Sequence, residues 1–145
     1  MLKYLLMVVT VLALAGCNRD TSRQGELDLE SLRGQWLVIN YWAQWCKPCI
    51  HEIPELNALD SRYPEVTVLG VNYDGLTGEE LARQVETLKI AFPILSADPA
   101  ALLGIERPVV LPTTLIIDPR GALRDTLVGP QTLLSLAAAT DQAAP

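Results

Sequence analysis

Cys46 and Cys49 are separated only by Lys47 and Pro48, in Trp45-Cys46-Lys47-Pro48-Cys49. The chain has one further cysteine, Cys17, and a single histidine, His51. Two thiols at this spacing can exchange electrons with a disulfide. The run before them, Gln35 to Trp42, is β-branched and aromatic and reads as a buried strand. After them Pro48 suits a first helical turn, and Ile50, Ile53, Leu56 and Leu59 recur at helical spacing. Cys46 is therefore expected at a strand-to-helix junction, where unpaired backbone N–H groups and the helix dipole favour an anion. Lys47 adds positive charge. Such surroundings bring a thiol from about 8.5 down to about 7 or below. Cys46, expected to be exposed, would attack a substrate disulfide. Cys49, expected to be more buried, would resolve the mixed disulfide and leave a Cys46–Cys49 bond. Half a zinc site is the other use of such a pair, but zinc needs four ligands. There is no second cysteine pair, and His51 diverges from Cys49 on the same helix. The reading is therefore no metal, with His51 facing solvent.

The elements that would position this pair follow from pattern. Gly78 to Ala91 carries Leu81, Val85 and Leu88 on one helical face. Phe92 to Leu95 is a short strand candidate. Asp98 to Gly104 reads as a short helix, with Asp98 as cap, Pro99 in its first turn and Gly104 as stop. Leu115 to Asp118 and Ala122 to Val128 read as strands joined by the turn Pro119-Arg120-Gly121. Gln131 to about Thr140 reads as a closing helix. The 145 residues fit one domain; they are 50% hydrophobic and 19% charged, too apolar for a disordered chain. A formal net charge of −6 argues against nucleic acid as a partner.

The start of the chain reads as an address. Lys3 precedes an apolar run from Tyr4 to Ala15, about 12 residues, short of the ~20 that span a bilayer. It ends in Leu14-Ala15-Gly16-Cys17, which looks like a bacterial lipobox. Residues 1–16 are read as a signal peptide and Cys17 as a lipidated residue. Residues 17–30 are read as the lipidated cysteine plus a polar tether, and 31–145 as the folded domain. Acyl chains on Cys17 would anchor the domain to a membrane. Asn18 leans towards the outer membrane, with the inner membrane left open.

Trp42-Ala43-Gln44-Trp45-Cys46-Lys47-Pro48-Cys49 resembles the Trp-Ala-x-Trp-Cys-x-Pro-Cys run of thioredoxins. Leu111-Pro112-Thr113-Thr114, followed by Leu115 to Gly121, is similar to their cis-proline loop and the strand after it. Cys49-Ile50-His51-Glu52-Ile53-Pro54 resembles the Cys-x-x-Glu-x-Pro of the exported TlpA/ResA-like reductases, and Val66 to Asn72 reads as the next strand, as in that family. The resemblance runs from about Ser31 to about Ala138. It implies an α/β fold, a thioredoxin-like three-layer α/β/α sandwich with a mixed central sheet. It implies a cis Pro112 facing the Cys pair, with Trp45 and Leu111 framing a substrate groove.

The implied activity is thiol–disulfide exchange in the reducing direction, without a cofactor. The implied partners are exported disulfide proteins, cytochrome c maturation among the candidate processes, and a membrane thiol electron donor. The chain is read as a monomer facing the periplasm from the cell envelope. Two departures stand out. Asn40 occupies the position of the thioredoxins' buried Asp and cannot titrate. Glu52 either takes over proton transfer near Cys49 or is a solvated carboxylate of the first helix. The insertion from Asn72 to Gly78 reads as a strand end and loop, with substrate contact as the alternative. A copper-delivery protein using the Cys pair, and a thiol peroxidase of the same superfamily, remain the rival functions.

Overall fold

The computed structural model describes Asp28 and residues 31–145. The expectations for the signal peptide, for Cys17 and, Asp28 aside, for the tether lie outside the described residues. Four strands form one mixed sheet: β1 (Trp36–Trp42), β2 (Val66–Asn72), β3 (Thr113–Ile117) and β4 (Leu123–Val128), in the order β2-β1-β3-β4. β1 runs parallel to β2 and antiparallel to β3, and β3 runs antiparallel to β4. Three helices complete the described fold: α1 (Lys47–Arg62), α2 (Gly78–Leu88) and α3 (Leu133–Ala139).

Alternation along the strands splits the core in two. Trp36, Val38, Trp42, Val66, Val68 and Ile116 face one side, where they meet Cys46, Cys49, Ile53, Leu56 and Leu59. Leu81, Val85 and Leu88 of α2 and Leu133 and Leu136 of α3 pack on this same cluster. Leu37, Ile39, Tyr41, Leu69, Val71, Leu115 and Ile117 face the other side. That face is covered by Leu32, Leu95, Leu103, Ile105 and Leu111 rather than by a regular helix. The three expected layers are present, the second outer one built of turns. All seven β1 side chains are buried, as a central strand covered on both faces requires.

Two expected elements take another form. Phe92 to Leu95 is not a strand: Ile94 makes one isolated parallel bridge to Gly70. Pro93 has no N–H to extend a ladder, so only Gly70 N–H to Pro93 O and Leu95 N–H to Gly70 O, both 2.8 Å, bind this segment to β2. Asp98 to Gly104 forms successive turns instead of a helix. Leu103, Gly104 and Ile105 donate to Pro99, Ala101 and Ala100, so reaches of four, three and five residues mix and no helical repeat is set up. Among the described residues no helix is long and apolar enough to cross a membrane.

Candidate active site

β1 delivers its chain to the end of the sheet, where Ala43 O accepts from Cys46 N–H at 3.1 Å. Cys46, extended at φ −88° and ψ 95°, is the N-cap of α1. Its Sγ accepts the backbone N–H of Cys49 at 3.3 Å. A sulfur thus occupies the position where a helix start presents unpaired donors. The two cysteines are joined, with Sγ–Sγ 2.01 Å and Cα–Cα 5.3 Å. Cys49 is 1% exposed; Cys46, expected to be open to solvent, is only 5% exposed. The difference arises because Cys46 Sγ is folded back onto the helix N-terminus and both cysteines belong to the large core cluster. Lys47 and His51 are exposed, as their helix positions dictate.

Glu52 lies one turn after Cys49 on the same buried face of α1. It is 1% exposed, so the solvated alternative is corrected. Burial raises its carboxyl to about 7, against the opposing pull of the Thr114 hydroxyl, the Gln131 backbone and the Asn40 amide. Thr114 Oγ1 lies 3.3 Å from Glu52 Oε1, and Asn40 Nδ2 donates to Thr114 Oγ1 at 3.0 Å. An amide nitrogen can only donate, so the Thr114 hydrogen is directed at Glu52. Glu52 Oε2 has no partner within hydrogen-bond reach. Burial disfavours the charged form more than these hydrogen bonds favour it, so the carboxyl holds a proton near neutral pH. Asn40, which cannot titrate, instead orients the residue that touches Glu52. Asn40 and Thr114 meet because they are register partners on β1 and β3.

The Leu111–Pro112 peptide bond is cis. Pro112 is buried, its carbonyl accepts Gly129 N–H at 2.9 Å, and Thr113 Oγ1 donates to Val110 O at 2.8 Å. Leu111 packs against the cluster that contains both cysteines. Val109, 86% exposed, and Val110 precede it as an apolar rim.

Trp45 stands next to Cys46 and is 63% exposed. Its indole N–H is held by Asp74, 3.1 Å from each carboxylate oxygen, and its ring meets Tyr73 edge to face at 6.4 Å. The guanidinium of Arg107 lies 3.9 Å from the centre of the Tyr73 ring, donates to Tyr73 O at 2.6 Å, and pairs with Asp98 at 2.7 Å. Asp98 also accepts from the buried Tyr41 hydroxyl at 2.7 Å. Burial pushes the Asp98 carboxyl up, but the Ala100 N–H, the Tyr41 hydroxyl and Arg107 outweigh it and hold the group below its ordinary range. Sequence reasoning singled out Asn72 to Asp74 as a strand end and loop, with substrate contact as the alternative, and missed Arg107. No periodicity connects positions 45, 74 and 107.

What this arrangement can do is dithiol–disulfide chemistry at a helix N-terminus, with a protonatable carboxyl one turn away. Among the described residues no three His, Cys, Asp or Glu side chains group to hold a metal ion.

Comparison with known proteins gives the same direction. Residues 13–126 match the AhpC/TSA family. The chain is 33% identical over 109 residues to the thioredoxin-like protein YneN of Bacillus subtilis, covering 72% of this chain and 62% of that one. It is 30% identical over 111 residues to the thiol-disulfide oxidoreductase ResA of Bacillus cereus, covering 74% and 62%. The chain thus spans just under two thirds of the length of these relatives. Among solved structures, a secreted thiol-disulfide isomerase from Corynebacterium glutamicum superposes with a TM-score of 0.66 at 26% identity, covering 79% of this chain and 73% of that one. The fold is thioredoxin-like.

Proposed function

The chain belongs to the AhpC/TSA family, and on that premise we propose that it is a thiol–disulfide oxidoreductase that reduces disulfides of exported proteins through Cys46 and Cys49. The observation that carries this reading is Cys46 Sγ seated as the cap of α1, accepting the Cys49 N–H, with the buried Glu52 one turn on. In the reduced protein the Cys46 thiolate attacks one sulfur of a substrate disulfide, and the other substrate sulfur leaves as a thiolate. Glu52, when ionised, takes the proton of the Cys49 thiol. The Cys49 thiolate attacks Cys46 Sγ, breaks the mixed disulfide and releases the second substrate thiolate. Two electrons pass from the dithiol to the substrate, and the Cys46–Cys49 bond is the product. A thiol donor must reduce it again.

Trp45, Leu111 and Pro112 frame the groove in this reading, and a membrane protein is the electron donor. The domain is a monomer tethered by a lipid on Cys17, in the bacterial cell envelope and facing the periplasm, with cytochrome c maturation as one process it would serve. The leader pattern of residues 1–16 and a secreted relative support an envelope location. The test is reduction of insulin disulfides by the full-length protein with dithiothreitol as donor. Wild type is expected to be active and Cys46→Ser inert. Cys49→Ser is expected to accumulate a mixed disulfide on Cys46. A wild type no faster than Cys46→Ser overturns the reading. Stoichiometric Cu(I) binding without insulin reduction would put the copper reading in its place.

A further inference from the structure

The exposed indole of Trp45 is not loose. Its N–H is shared between both oxygens of Asp74. Asp74 sits in a turn that is itself braced: Asn72 Oδ1 accepts Leu76 N–H at 3.0 Å, Gly75 N–H donates to Asn72 O at 3.1 Å, and Gly75 adopts φ +67°. Tyr73 N–H donates to Trp42 O at 2.8 Å, which extends the β1–β2 pairing into the turn. From the other side Arg107 grips Tyr73 by its carbonyl and its ring face, and Asp98 fixes Arg107. The chain of contacts therefore runs from Asp98 through Arg107 and Tyr73 to the turn carrying Asp74, and from Asp74 to the residue before Cys46. Among the described residues, the hydrogen bonds of Asp74 and Arg107 go to Trp45, Asp98 and Tyr73 and not to the cysteines.

We propose that Asp74 and Arg107 are positioning residues that lock the Trp45 ring beside the redox pair, so that it forms a fixed wall for the polypeptide flanking a substrate disulfide. The inference rests on the oxidoreductase reading. A fixed aromatic wall costs a bound polypeptide less ordering than a mobile one. A small aromatic disulfide reaches Cys46 without needing that wall. Loss of Asp74 should therefore weaken reaction with a protein disulfide more than reaction with a small one, and through KM more than kcat.

The experiment compares wild type, Asp74→Ala, Asp74→Asn and Arg107→Ala as full-length proteins, with insulin and with 5,5′-dithiobis(2-nitrobenzoate) as substrates. For Asp74→Ala, kcat/KM on insulin is expected to fall about fivefold, the scale of one ordinary hydrogen bond of about 1 kcal/mol. The fall should lie mainly in KM and be several-fold larger than that on the small disulfide. Arg107→Ala should shift the two substrates in the same sense. Asp74→Asn, which keeps an acceptor oxygen, should recover most of the loss. The reduction potential of the Cys pair should not move in any of these variants. Equal losses on both substrates, a loss explained by a shifted potential, or no rescue by Asn overturns the inference while leaving the oxidoreductase reading intact. A wild type inert towards both disulfides overturns that reading and the inference with it.

Discussion

Glu52 shows how one residue couples the site to pH. Its carboxyl titrates at about 7 in the fold, against an ordinary value of 4.5. Below 4.5 it is neutral in both folded and unfolded chains and contributes no pH dependence. Between about 4.5 and 7 the folded chain binds a proton that the unfolded chain has lost, so stability falls as pH rises through this window and levels off above it. The total loss is at most about 3 kcal/mol. Glu52→Gln stays neutral throughout, so it should flatten this limb and be the more stable protein at pH 8 by urea unfolding; a wild type whose stability does not fall from pH 5 to 8 refutes the burial account. In catalysis the order reverses. Only ionised Glu52 accepts the Cys49 proton, so resolution of the mixed disulfide should slow below about pH 7, and Glu52→Gln should lose that pH-dependent gain, by about tenfold or more in a single-turnover assay at pH 8. The pair Cys46 and Cys49 and the i, i+3 neighbour Glu52 were legible because they share one short segment. Thr114, which touches Glu52, was not, because it arrives through the register of β3 on β1. Trp45 was legible as a site residue, but its partner Asp74 arrives only through the β1–β2 crossover.

At the scale of elements, the most constrained junction is where β2 meets the segment after α2. A Cβ on Gly70 would lie 2.5 Å from Ile94 Cδ1, 3.0 Å from Trp42 Nε1 and 3.1 Å from Phe92 Cε2. Three side chains from two segments converge there, so a Cβ at that point forces Ile94 to move and presses on the Trp42 and Phe92 rings. Gly70→Ala should destabilise by about 1–3 kcal/mol through overpacking. Adding Ile94→Ala should cost less than the two single changes summed, since it removes the nearest clash; additive losses by thermal unfolding would show that Ile94 is not the obstacle. β1 and β3 were readable from the sequence as short apolar runs buried on both faces, and α1 from its periodic apolar face. Phe92 to Leu95 was apolar enough to read as a strand, yet Pro93 and the closeness to Gly70 leave it a single bridge. Asp98 to Gly104 has the cap, proline and glycine of a helix. Tertiary contacts override them: Asp98 is drawn to Tyr41 and Arg107 as well as to Ala100 N–H. Pro54 is the opposite case. It lies inside α1 and leaves the Ile50 carbonyl without its helical donor, but the buried face of Cys49, Glu52, Ile53, Leu56 and Leu59 carries the helix through.

At the scale of the whole molecule, the redox pair is part of the core. Cys46 and Cys49 lie in the cluster that holds α1, α2 and α3 against the sheet. Whatever separates the oxidised from the reduced fold in free energy is therefore also what sets the potential of the pair against that of the same cysteines in the unfolded chain. The two are linked by a cycle, and for two electrons 30 mV corresponds to about 1.4 kcal/mol. If the fold lowers the potential of the pair below its unfolded value, the oxidised protein is the more stable form. A difference of about 60 mV gives about 2.8 kcal/mol, a shift in melting temperature on the order of 10 °C for a domain of this size. A pair poised as an oxidant, near −120 mV as in DsbA, instead owes its potential to a stabilised reduced form, and the order of the melting temperatures inverts. Calorimetry of the protein with and without excess dithiothreitol therefore reads, with no substrate chosen, whether the fold makes the pair more reducing or more oxidising than the unfolded chain. A fold that tunes the pair as a reductant is expected to melt higher when oxidised. A reduced form that melts higher means that the fold tunes the pair as an oxidant, with the same cysteines.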